Sequence, residues 1–216
     1  MPQGGRYSTS RFARIRLQSS AHFESGKFFI LPSAASPSFC SGATYLVFIR
    51  TIEAVRARGQ LHLDFATLEQ LVIRDQHDGE GIWGRWNANG PGTACMFHEL
   101  GLGRNFDNFN QAQPGDFMKI FWSSEVGRSE HGHSCIFLGT ENRLGVEYVR
   151  YWSSNIPSGY GEKIVPRNKI AYAIFSRLET PENLSRINNA PSVNAYLASL
   201  LRKRSNLAEA ARKSGI

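Results

Sequence analysis

The chain has 216 residues, 41% hydrophobic and 12% aromatic, enough for one sizeable core and too few for two comfortable domains. That composition excludes a disordered chain, and no apolar run approaches the roughly 20 residues a bilayer helix needs. Its 25 basic and 18 acidic residues give a net charge of +7, which favours a polyanionic partner. No zinc-finger spacing, Arg-rich helix or aromatic ribonucleoprotein motif accompanies the charge, so nucleic acid is not the expected partner.

In chain order, residues 1–30 are basic and rich in Gly and Ser, and are expected to form an N-terminal arm. No apolar stretch of about 7–15 residues follows Arg6 to Arg16, so the arm lacks the pattern of a cleavable secretory signal. Ser33 to Ser38 is a Pro/Ser loop. From Cys40 to Ala57, Tyr45, Leu46, Phe48, Ile49, Ile52 and Val55 recur at helical spacing, and Val47 and Ala54 widen the apolar surface. This predicts a central, buried helix, with Ser36 or Ser38 available as its cap.

A second helix is predicted over Thr67 to Asp75, a Gly/Trp-rich loop over Gly79 to Gly92, and a short helix over Thr93 to Leu100 closed by Gly101. Extended runs follow at Phe117 to Trp122, Ser134 to Leu138, Val146 to Trp152 and Ile170 to Phe175. Residues 181–216 read as a helical extension packed on a 31–180 domain. The order of helix, antiparallel sheet and helical tail predicts an α+β fold.

Three cysteines, Cys40, Cys95 and Cys135, make an odd count with no Cys-x-x-Cys spacing, which argues against a disulfide framework. Cys40 stands at the predicted start of the buried helix, where partial positive charge and unpaired N–H groups stabilise a thiolate and can hold an oxyanion. Packing as a small core residue is the other reading of a free cysteine. His133 opens a later predicted strand, so nucleophile and base would come from different elements. His131, His133 and Cys135 alternate as zinc ligands on one strand face could, but no fourth ligand is evident. Cys95 and His98 share a helix face without the N-terminal field. Gly101-x-Gly103 lacks a dinucleotide-binding setting. Trp83, Trp86, Trp122 and Trp152 are either groove-lining or core aromatics.

Cys40-Ser41-Gly42 at a helix head, Pro114-Gly115-Asp116 before a strand, and Gly132-His133-x-x-Ile136-x-Leu138-Gly139 together resemble the NlpC-type papain-like cell-wall peptidases and the related CHAP amidases. The resemblance covers roughly residues 36–155. It implies a papain-like domain in which Cys40 is the nucleophile and His133 the general base and acid, with a third polar residue orienting the histidine. A hairpin turning near Thr140 to Gly145 would carry Arg150 to Asn155 past His133. Asn155 is the first choice for the third residue, with Ser153 and Glu147 as alternatives. Ser41, Trp83, Trp86 and Trp152 are the expected substrate contacts.

The resemblance further implies a cysteine amidase or endopeptidase acting on peptidoglycan stem peptides, with no cofactor or metal and no membrane insertion. The expected location is periplasmic or secreted, either as a resident wall enzyme or as an antibacterial effector with a cognate immunity protein. A catalytically silent wall-binding module and a cysteine acyltransferase or transglutaminase-like enzyme are the alternatives.

Overall fold

A computed structural model describes residues 1–216. Helix α1 (Arg11–Ser20) leads into a hairpin, β1 (Ala21–Glu24) and β2 (Lys27–Ile30), and then a loop reaches helix α2 (Cys40–Ala57). Helices α3 (Phe65–Gln70), α4 (Gly81–Asn87) and α5 (Gly92–Leu100) follow. The remaining strands are β3 (Gly103–Phe106), β4 (Phe117–Phe121), β5 (Val126–Gly127), β6 (Gly132–Arg143), β7 (Val146–Asn155), β8 (Gly159–Pro166) and β9 (Tyr172–Leu178). The tail carries a 3₁₀ segment (Pro181–Asn189), α6 (Ala195–Ser199), β10 (Arg204–Ser205) and α7 (Leu207–Lys213). This is an α+β fold, and no helix is long and apolar enough to cross a membrane.

The six-stranded sheet runs β3-β9-β4-β6-β7-β8 with every neighbour antiparallel. Helix α2 lies against one face of it. Tyr45, Phe48, Ile49 and Ile52 from α2 are fully buried, in one core with Trp86, Phe97, Phe117, Ile136 and Trp152. Phe48 stacks on Trp86 with centroids 4.8 Å apart, and Trp86 meets Phe117 edge-on at 5.0 Å. The other sheet face packs Met118, Ile120, Cys135, Phe137, Tyr151 and Phe175. Leu17 of α1 comes so close to α2 that a Cβ on Gly42 would stand 2.8 Å from its Cδ2, and a side chain there would push Leu17 aside.

Several segments differ from their sequence-based expectation. Residues 1–30 hold a helix and a hairpin, so they are more than an arm. The expected Gly79–Gly92 loop contains α4, whose stability comes from tertiary contacts. The guanidinium of Arg85, fully buried, donates to both carboxylate oxygens of Glu99 (2.9 Å each) and to the carbonyls of Gly79, Gly81 and Pro191. Gly84 lies so close to the His77 carbonyl that no side chain would fit. The tail is only partly helical, but it is docked: Leu184 and Ile187 enter the main core, and Ala210 packs with Phe121, Val126 and Ile174.

Candidate active site

Helix α2 begins at Cys40, as expected, but neither serine caps it. The N-cap is Phe39, in extended conformation and offering no side-chain hydrogen bond. Ser38 is turned away, its hydroxyl 2.8 Å from that of Ser154. The first N–H groups of α2 therefore keep their donors free of a capping side chain, in the positive field of the helix end.

Cys40 is half-buried, whereas Cys95 and Cys135 are buried. Burial alone would push the Cys40 thiol up. A hydrogen bond to the His133 side chain, the charge of His133, the N–H of Ser134 and the charge of Lys119 together reverse this and bring it down to about 6. Cys95 shows the other outcome: burial dominates and pushes it up to about 12, the bond to Ser214 notwithstanding. Burial likewise holds Cys135 well above the ordinary thiol range. Of the three thiols, that of Cys40 alone is held below the ordinary range.

His133 lies one residue into β6 and presents Nε2 to Asn155 Oδ1 at 3.1 Å. The orientation of that amide is fixed by its other end, since Asn155 Nδ2 donates to the carbonyls of Ser153 (3.2 Å) and Gly161 (2.8 Å). With Nε2 engaged as a donor, Nδ1 is left for the thiol. The edge of the His133 ring packs against Tyr151, centroids 5.5 Å apart. Cys40, His133 and Asn155 thus come together from α2, β6 and β7, with the imidazole between the thiol and the amide. Of the alternatives, Ser153 gives its hydroxyl to the Ser134 carbonyl (2.6 Å), and Glu147 is exposed at the far end of the hairpin, paired with Asn142. His131 is exposed in the turn before β6, and no group of three His, Cys, Asp or Glu side chains could hold a metal ion.

A cleft of about 730 Å³ opens on Cys40, lined among others by Tyr7, Ser41, Trp83, Asn87 and Lys119. Ser41 is in the cleft wall, its hydroxyl donating to Asn87 Oδ1 at 2.7 Å. Trp83 also reaches the cleft, though it is only 5% exposed. The expectation for the other two tryptophans needs correcting. Trp86 is sealed beneath the site, donating from Nε1 to the Ser41 carbonyl and Thr44 Oγ1. Trp152 lies away from the cleft, stacked on Tyr160 and bonded to the Pro2 carbonyl at 3.0 Å. Both serve as core.

Tyr7 carried no signal in the sequence. Backbone bonds stitch its segment in place: Ser38 N–H to the Arg6 carbonyl, Ser8 N–H to the Ser38 carbonyl, Tyr7 N–H to the Pro157 carbonyl, and a Gly4–Tyr160 bridge. The Tyr7 hydroxyl is thereby brought beside Cys40. Burial foremost, then the charge of Cys40, push the phenol well above its ordinary value, so it stays a proton donor. No protein-family model matches the chain, and no curated protein or solved structure matches it.

Proposed function

We propose that this protein is a papain-like cysteine hydrolase that cuts amide bonds in peptidoglycan stem peptides. The observation that carries the reading is the line Cys40–His133–Asn155 at the head of a buried helix, with the thiol lowered to about 6 and an open cleft before it. A nucleophile, a base and an orienting amide drawn from three elements is the arrangement nucleophilic amide hydrolysis needs.

In this mechanism the Cys40 thiolate attacks the amide carbonyl, forming a C–S bond. The oxyanion takes hydrogen bonds from the uncapped N–H groups of α2 and from the Tyr7 hydroxyl. His133 gives its proton to the leaving amine as the C–N bond breaks, leaving a thioester. It then takes a proton from water, whose oxygen displaces the sulfur and releases the acid. Asn155 holds the imidazole throughout without transferring a proton itself.

The wall polymer is favoured as substrate by two supports: the three motif blocks around Cys40, Asp116 and His133, and a net charge of +7 against an anionic polymer. A periplasmic or secreted location follows from that substrate, and delivery as an effector would call for a cognate immunity protein. The test is incubation of purified peptidoglycan with the native chain and Cys40→Ala, with mass analysis of the soluble fragments. Fragments cleaved at an amide by the native chain and absent with the variant are expected. Release by both, or by neither, removes the proposal.

A further inference from the structure

Lys119 sits on β4 opposite Ser134, and its side chain lines the cleft together with Cys40, Gly132 and Ser134. The ammonium pairs with Glu130 Oε1 at 2.5 Å, the two side chains being 13% and 4% exposed. The second oxygen of Glu130 accepts from the N–H groups of Gly90 (2.5 Å) and Gly127 (3.2 Å). Its negative charge is therefore divided among three donors and anchored to the wall. Lys119 has three protons to donate, and Glu130 is its one ionic partner. The aromatic ring of Phe121 lies 5.4 Å from Nζ.

Gly132 makes this placement possible. A Cβ there would stand 2.8 Å from Lys119 Nζ and press on Glu130 Oε1, so any side chain before His133 would displace the ammonium. A buried ion pair is a poor route to stability, because desolvation offsets most of the attraction. An ammonium fixed in a cleft wall beside a nucleophile, with donors to spare, is instead suited to holding an anionic oxygen. Other charges line the cleft too. Arg14 and Arg74 are solvent-exposed, and Asp75 and Asp78, with His77, lie on the loop between α3 and α4 and would repel an anion. The Lys119 end is where a carboxylate is welcome.

We propose that Lys119 is a specificity-determining residue, binding a free carboxylate that the substrate carries within a few bonds of the scissile carbonyl. The assignment rests on the hydrolase reading of Cys40 and names the chemical class that its cleft accepts. Iodoacetate and iodoacetamide test it, since both alkylate a thiolate with loss of iodide and differ only in carboxylate against amide. The ratio of their rates at Cys40, read by peptide mass, is compared with the ratio for the same chain unfolded in urea.

A folded-state ratio in favour of iodoacetate, raised by about tenfold over the unfolded chain, is expected. Lys119→Met should return the ratio to the unfolded value, and Lys119→Arg should keep it raised. A native ratio no higher than the unfolded one overturns the proposal, as does a Lys119→Met variant that slows both reagents equally. Should Lys119→Met fail to fold, the native chain still decides. Propionate should protect Cys40 from iodoacetamide saturably while propionamide does not, and equal protection overturns the assignment. No wall substrate enters these measurements. A chain that cuts peptidoglycan but shows no carboxylate preference loses this inference alone, and one inert on the wall loses the hydrolase reading.

Discussion

His133 and Asn155 face each other because β6 contains one residue more than its partner. Gly139 pairs with Arg150 and Phe137 with Tyr151, leaving Leu138 as a bulge. Beyond it Ile136 pairs with Trp152, and the same register carried to the end of the strands sets His133 opposite Asn155. Without the extra residue Ile156, which has no acceptor to offer, would occupy that place.

Asn155→Ala should therefore lower turnover, but by less than the roughly 10²–10⁴-fold expected when His133→Ala removes the proton carrier. Glu147→Ala, at the exposed end of the hairpin, should leave turnover unchanged. Steady-state rates on one wall substrate check the order. If Glu147→Ala is the more damaging, Asn155 does not orient the imidazole.

Alkylation should single out Cys40 by its pH profile. With its thiol at about 6, the labelling rate should rise through pH 6 and be nearly level by pH 7, where about nine in ten molecules carry the thiolate. An ordinary thiol would still be rising near pH 8.5. Cys95, pushed up to about 12, and Cys135, held higher than an ordinary thiol by burial, should stay unlabelled in the folded chain. Peptide mapping across pH 5–9 reads all three together, and equal labelling at pH 7 would contradict the site geometry.

Tyr7→Phe keeps the ring and removes only the hydroxyl beside Cys40. Loss of one oxyanion donor costs about 10²–10³ in turnover in sites of this type. Because α2 supplies backbone donors as well, the expected loss lies toward the lower end, with KM little changed. An unaltered kcat would confine Tyr7 to packing.

Arg85→Met should destabilise the chain by about 3–5 kcal/mol, since it strands the Glu99 carboxylate and three carbonyls. Arg85→Lys should recover only part of this, a single ammonium being unable to reach five acceptors in a planar fork. Urea unfolding of the three proteins gives the comparison.

These sites differ in how far the chain announces them. Helix α2 was legible to its last residue, because apolar side chains recur around most of its surface and its start is set by a Pro/Ser loop. Gly101, with φ at 65°, closes α5 as the glycine suggested. Helix α4 was hidden by two glycines and held by an arginine whose partners lie up to 106 residues away. Strand β8, with polar residues Glu162 and Lys163 at its centre, forms the sheet's edge and lacks an apolar alternation. That Cys40 and His133 meet was readable from element order and chemistry. Asn155 followed from a hairpin turning between Thr140 and Gly145; the turn is at Leu144–Gly145, and the bulge at Leu138 moves the partner of His133 by one residue, from Ile156 to Asn155. Tyr7 and Lys119 were not readable, since nothing local marks a residue that matters only through what it meets.

The stitching of Tyr7 to Pro157 and of Gly4 to Tyr160 bears on the chain's birth. During synthesis the first residues leave the ribosome long before the strand that fastens them, and closing so long a loop is slow. A nascent chain ending after β7 would already contain Cys40, His133 and Asn155, yet would hold the segment bearing Tyr7 only through Ser38, without its fastenings to Pro157 and Tyr160. The order of translation thus makes the completed site a late event, withheld until β8 has emerged.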